Sequence, residues 1–334
     1  MQPLKGIRVI EFCTVATGPF CAMLVTDMGA DVIKVEHPEG GDSKRQWPPL
    51  SGGFSENFTA VNGNRRSVSL DLKDPSYNAK ARELAAGADV VVENNRPGVM
   101  ARLGLDYSSL SALSPALVYC SISAFGQGGP RAAEAGFDLT VQAMSGVISG
   151  TGERGGAPVK CGVPISEFTT GLYAAFAIAA KLREVTSSGK SAHIDASMFG
   201  ATLAVGALQT SQYFGSGIDP EKLGSAHPRN EAYQAFQTAD GYVAMAAGNN
   251  ALFRSACAAI DRDDLVELDR FSSTASRAQH QVELKEIVEK IFCPVKSDEV
   301  LIMFRKAGVP CSPINTYSQA LADVQVEHMQ WVQR

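Results

Sequence analysis

Residues 6–36 read GIRVIEFCTVATGPFCAMLVTDMGADVIKVE, and this stretch decides the fold. GIRVIEF (6–12) carries the β-branched apolar run of a buried strand. PFCAMLVTDMG (19–29) reads as a helix, with Pro19 in its first turn and Gly29 at its end. ADVIKVE (30–36) is the next strand. Two strands joined through a helix make a βαβ unit, whose crossover sets the strands parallel. A second unit follows in RSVSLDL (66–72), a helix over about 75–86 and ADVVVEN (88–94). ALVYCSISAFG (116–126) supplies a further strand. The pattern predicts an α/β fold with a Rossmann-like, parallel-sheet large domain.

Beyond that layer, FTTGLYAAFAIAAKL (168–182) is apolar on nearly every face, which predicts a helix buried on all sides. KSAHIDASMFGATLAVGAL (190–208) reads as a short strand running into a small-residue helix. Over 209–226 the periodicity fades and Gly, Ser and Pro gather, as in a linker. YQAFQTADGYVAMAAG (233–248) reads as two strands about an Asp-Gly turn. Helical segments at 251–260, 281–292 and 297–307, then VPCSPIN (309–315), complete a smaller α+β domain. The expected organisation is a large domain over 1–208, a linker over 209–226, a small domain over 227–315 and a final segment over 316–334.

Composition narrows the function. A net charge of −5 points away from nucleic acid and from anionic membrane surfaces as general partners. The opening MQPLKGIRVIEF enters a strand almost at once and lacks the shape of a signal peptide. The longest apolar run, around 171–180, is too short and too Ala-rich to span a bilayer. Seven cysteines are scattered and none is spaced CxxC, which argues for reduced thiols in a cytoplasm and against zinc or a disulfide framework. Five dispersed histidines give no metal site by spacing. The expectation is a cytoplasmic protein without a metal.

Several familiar chemistries fail on their motifs. The turn CTVATGP has one glycine where a dinucleotide fingerprint needs GxGxxG, so Glu36 reads as a strand-end charge rather than a ribose ligand. No GxSxG elbow occurs, and His193 reads as an edge-strand or packed residue. Two features keep two readings each. Lys73, Arg96 and Arg102 lie at strand ends, where they either hold phosphates or form a solvated face. Glu167 opens the apolar helix, where it either complements the helix dipole or serves as a nucleophile kept ionised by backbone N–H groups.

Longer motifs in order along the chain carry a resemblance. LKGIRVIEF (4–12), GPFCAMLVTDMGADVIKVEHPEGGD (18–42), NGNRRSVSLDLK (62–73), ADVVVENNRPGVMARLGLDY (88–107), SISAFGQGGP (121–130), GFDLTVQAMSGVISGTG (136–152) and GSAHPRNEAYQAFQTADG (224–241) together resemble the family III CoA-transferases, the CaiB/BaiF group. That group includes formyl-CoA, carnitine and succinyl-CoA-dependent transferases and the α-methylacyl-CoA racemases.

The resemblance implies transfer of CoA from an acyl-CoA to a free carboxylic acid through an anhydride and an enzyme–CoA thioester. It makes the large domain the CoA-binding one, with coenzyme A as substrate and no tightly bound cofactor. The family's nucleophile, usually Asp, matches Glu167, one methylene longer. Its CoA-contacting positions match His37, Leu72, Lys73, Asn94, Asn95, Arg96 and Arg102, with His37 standing where an arginine is usual. Its substrate pocket matches Val15, Ala16, Phe137 and Asp138. Ala16 in place of glutamine argues against oxalate and formate, and Phe137 in place of histidine removes one of the racemases' two bases. An interlocked homodimer is implied, as is a C-terminal return to the large domain that runs some tens of residues past the point where this chain stops.

Overall fold

The computed structural model describes residues 2–332. The chain divides into two compact units: that up to Thr151 with Pro158–Glu221, and Gly152–Ala157 with that from Lys222 onward. The first unit opens with β1 (Arg8–Phe12), α1 (Thr17–Asp27) and β2 (Asp31–Glu36). A small hairpin, β3 (Leu50–Ser51) and β4 (Phe54–Ser55), leads through α2 (Glu56–Asn62) to β5 (Arg66–Ser69). Then come α3 (Pro75–Ala86), β6 (Val90–Glu93), α4 (Val99–Arg102), α5 (Tyr107–Ser111) and β7 (Val118–Ser123). The unit closes with α6 (Asp138–Met144), α7 (Ile165–Ser188), β8 (Ala192–Ser197), α8 (Met198–Val205) and α9 (Ala207–Ser216).

Six strands form one parallel sheet in the order β5-β2-β1-β6-β7-β8. Counted along the chain without the small hairpin, that order is third-second-first-fourth-fifth-sixth, the doubly wound arrangement whose direction of winding reverses between the first and fourth strands. One face of the sheet packs Val9, Val90, Val92 and Cys120 against Cys21 and Val25 of α1 and Ile178 of α7. The other packs Ile10, Val91 and Tyr119 against Ala81 and Ala85 of α3 and Leu110 of α5. Continuous apolar strands are what a sheet covered on both faces requires.

The second unit holds the antiparallel sheet of β9 (Tyr233–Gln237), β10 (Tyr242–Ala246) and β11 (Cys311–Pro313), with β10 in the centre. Helices α10 (Asn250–Ala259), α11 (Thr274–Gln279), α12 (Gln281–Phe292) and α13 (Ser297–Lys306) accompany it. Its core sets Phe292 edge-on to both Phe236 and Phe304. Beyond it lie α14 (Tyr317–Leu321) and α15 (Val324–Met329), and the last two residues of the expected final segment fall outside the described residues.

Three expectations need correction. Residues 209–216 of the anticipated linker are helical, as part of α9, which ends on Gly217 in the left-handed conformation. Residues 152–157 cluster with the second unit although they precede α7 in sequence. The helix α7 is not buried on all sides: Leu172, Tyr173 and Phe176 are exposed, Phe176 by 74%.

Candidate active site

Where a doubly wound sheet reverses its winding, the loops leaving the two adjacent strands splay apart and leave a crevice at their C-terminal ends. Here those strands are β1 and β6. The loops that follow them, 13–17 and 94–97, line a cavity of about 200 Å³ with Gly136, Phe137 and Glu167. Two reciprocal bonds clamp the loops together. Thr14 N–H donates to Asn94 Oδ1 at 3.0 Å, and Asn94 Nδ2 donates to the Thr14 carbonyl at 2.8 Å. Asn95 Nδ2 donates to the Phe12 carbonyl at 3.2 Å, and its N–H donates to Glu93 at 2.8 Å.

Glu167 reaches this cavity because α7 lies directly on α1. Gly171, one turn further along α7, permits the approach: a Cβ there would sit 2.9 Å from both the Phe20 ring and the Thr17 carbonyl. Phe20 and Phe168 meet edge-on beside it, with centroids 4.8 Å apart. The result is a hydrogen bond from the Thr17 hydroxyl to Glu167 Oε2. Burial pushes the Glu167 carboxyl up from its ordinary value, and the nearby Asp138 carboxylate adds to this; the Thr17 N–H and the Lys44 ammonium pull the other way.

Asp138 has a different environment. Its Oδ1 accepts from the Ser166 N–H at 3.0 Å and its Oδ2 from Gln142 Nε2 at 2.7 Å. Oδ1 thus ties the start of α6 to the first turn of α7, while Oδ2 is held by Gln142 within α6 itself. A carboxylate so placed aligns the helix that carries Glu167.

The remaining site candidates gather in a second cavity, of about 410 Å³, at the ends of β2 and β5 and on one side of α4. It is lined by His37, Leu72, Lys73 and Arg102 among others. His37 Nε2 stands 3.8 Å from Asp71. The structure therefore brings together Val15, Ala16, Asn94, Asn95, Arg96, Phe137 and Glu167 in one cavity, and His37, Leu72, Lys73 and Arg102 in the other. Asp138 adjoins the first without lining it. Glu36, read as a strand-end charge, is mostly buried and accepts from Arg45 at 2.7 and 2.6 Å, from Ser67 and from the Asp42 N–H, which hold its carboxyl down at about 2. His193 lies on the edge strand β8, bonded to Ser121 at 3.0 Å and stacked on Tyr107.

Sequence reasoning missed Thr17 and the buried side chains Lys34 and Asp42. A hydroxyl in the first turn of α1 was the only available signal for Thr17. For the others there was none, because Glu11, Cys13 and Val15, the groups through which they act on the turn, lie 21 to 27 positions away in sequence. Among the described residues no helix is long and apolar enough to cross a membrane, and no group of three or more His, Cys, Asp or Glu is set to hold a metal ion.

A doubly wound sheet with a carboxylate at its switch point and a cation-lined cavity alongside defines the class; comparison supplies the family. A model of CoA-transferase family III matches residues 4–334. The chain is 41% identical to the succinate–glutarate CoA-transferase of Agrobacterium fabrum, over 97% of this chain and 83% of that one. It is 36% identical to the human succinyl-CoA:glutarate CoA-transferase, over 98% and 75%. A CaiB/BaiF family protein from Brucella suis superposes with a TM-score of 0.88 at 37% identity, covering 98% of this chain and 87% of that one. The chain belongs to CoA-transferase family III. It is a CoA-transferase, and CoA thioesters are its substrates.

Proposed function

We propose that the enzyme moves CoA between small dicarboxylic acids, with Glu167 as the covalent nucleophile. A Glu167 oxygen attacks the thioester carbonyl of the donor, the C–S bond breaks, and CoA leaves as its thiolate. The product is a mixed anhydride. The thiolate then attacks the glutamyl carbonyl, releasing the donor acid and leaving a glutamyl-CoA thioester. The acceptor carboxylate attacks that thioester and expels CoA again. In the last step the thiolate attacks the acceptor's acyl carbonyl, frees Glu167 and completes the new acyl-CoA. No net proton or water is consumed.

The observation that carries this reading is the position of Glu167, half-buried at the winding reversal and bonded by the Thr17 hydroxyl. Apolar neighbours limit the water that would hydrolyse an anhydride. The CoA phosphates are assigned to His37, Lys73, Arg96 and Arg102. Lys73, Arg96 and Arg102 have no ion-pair partner among the described residues, so their charge is free for a ligand. Leu72 lines the cavity that holds Lys73 and Arg102, and Asn94 and Asn95 line the one that holds Glu167. The choice of dicarboxylates follows the two relatives named for succinate and glutarate.

An interlocked homodimer is part of the proposal. Leu172, Tyr173 and Phe176 on α7, with Phe214 on α9, leave apolar side chains in water that a second copy would cover. Sedimentation is expected to give a dimer, with Phe176→Glu shifting it towards monomer. For the chemistry, the enzyme is incubated with succinyl-CoA and a panel of acids, and product thioesters are read by mass. Glutaryl-CoA from glutarate is expected. Solvent deuterium entering the α-carbon without CoA exchange would replace this reading with a racemase, and CoA binding without turnover with an inactive relative.

A further inference from the structure

We propose that Asp42 is a positioning residue for Glu167: its buried carboxylate holds the turn after β1 in the left-handed conformation that presents Thr17 to the nucleophile. This rests on Glu167 being that nucleophile.

Val15, in the middle of the turn, has φ 69°. A β-branched residue rarely adopts this region, and such a backbone persists only where its surroundings over-determine it. Asp42 supplies the constraint. Both its oxygens accept the Val15 N–H at 3.2 Å, and Oδ1 also accepts the Lys44 N–H at 3.0 Å. Two residues beyond Val15, Thr17 donates to Glu167. The carboxylate and the nucleophile are thus joined through one short turn.

Asp42 is itself held. Lys34 Nζ spends its three donors on Asp42 Oδ2 at 3.0 Å, Glu11 Oε1 at 3.1 Å and the Cys13 carbonyl at 2.8 Å. Glu11 takes Arg65 Nη1 on its other oxygen at 2.5 Å. Two cations and two anions therefore balance, and every one of the four side chains is at most 2% exposed. The assembly grips the turn at the Cys13 carbonyl and at the Val15 N–H. Buried ion pairs are weak contributors to stability compared with apolar packing of the same volume, so four charges beneath one turn are better explained by the geometry they impose.

The test uses Asp42→Asn, which keeps the shape but turns an amide N–H towards Lys34. Formation of the enzyme–CoA thioester is followed in a single turnover with succinyl-CoA, and CoA affinity by calorimetry. The expected loss in rate is about 100-fold, the usual effect of a displacement near 1 Å at a reacting group. CoA affinity should stay within about twofold. Adding Val15→Gly should return about tenfold of that rate, since glycine takes φ 69° unaided. Should Asp42→Asn fail to fold by circular dichroism, Lys34→Met/Asp42→Asn replaces it as the background, because removing one cation with one anion leaves Glu11 and Arg65 balanced. An Asp42→Asn rate within about threefold of wild type, or no recovery from Val15→Gly in either background, overturns the proposal. Glu167→Gln run in parallel separates the two claims. An active Glu167→Gln enzyme removes the nucleophile assignment and this inference with it. An inactive one beside a fully active Asp42→Asn removes the positioning role alone.

Discussion

The two cavities at the sheet's C-terminal edge differ in how their polar groups are engaged. Around Glu167 almost everything is tied before any ligand arrives: Asn94 to Thr14, Asn95 to Phe12, Asp138 to Ser166 and Gln142, and Thr17 to Glu167 itself. Around His37, Lys73 and Arg102 the side chains are exposed, and neither Lys73 nor Arg102 has an ion-pair partner among the described residues. A site that must direct covalent chemistry gains from fixed geometry, because groups already aligned need no rearrangement in the transition state. A site that captures a highly charged, flexible ligand gains from unpaired charge, because the ligand itself supplies the counter-charge.

The difference can be broken or sharpened by substitution, and the largest effect belongs to the fixed cavity. Glu167→Gln should lower turnover at least about 10³-fold with little change in CoA affinity, because a neutral amide is a poor nucleophile while His37, Lys73 and Arg102, three of the four residues assigned to the CoA phosphates, line the other cavity. Steady-state kinetics with calorimetric CoA binding checks both halves. Arg102→Ala should show the reverse. CoA affinity should fall about ten- to hundredfold, as expected for one charge-assisted phosphate contact, with turnover at saturation largely kept. If turnover fell and affinity held, the two cavities would not divide the work in this way.

A smaller effect probes the electrostatics of the fixed cavity. Burial, helped by Asp138, raises the Glu167 carboxyl above its ordinary value of 4.5. The ionised form attacks, so activity is present above the raised pKa and is lost as pH falls through it. The acid limb of kcat/KM should therefore lie above pH 4.5. Lys44 favours the ionised form, so Lys44→Met should move that limb to still higher pH. A limb that stays in place or moves down means that Lys44 does not act on the nucleophile.

Much of this was legible in the sequence for a local reason. GIRVIEF, its helix and ADVIKVE declare a parallel unit by composition and spacing, and β1, α1 and β2 occupy those stretches to within a few residues. Glu167 stood out because it is the single charge in an apolar stretch. The misses share a different cause. Glycines at 215 and 217 made the start of 209–226 look like a linker, yet the first of them lies inside α9 and the second ends it. The exposed face of α7 carries the same residue types as its buried face, so composition cannot tell packing within a chain from surface awaiting another. The hold of Asp42 on Val15 spans 27 positions and depends on β1 and β2 lying side by side. No pattern within either segment records it.

The most direct measurement is a peptide map of the enzyme after incubation with succinyl-CoA in the absence of acceptor. Borohydride reduces a glutamyl-CoA thioester to the alcohol, and hydroxylamine converts it to the hydroxamate, so either treatment marks the residue by mass. The mark is expected on Glu167 in the peptide containing ISEFTTGLYAAF, and it should vanish in Glu167→Gln. A mark on Asp138 or any other carboxylate, or turnover with no trapped adduct, contradicts the assignment.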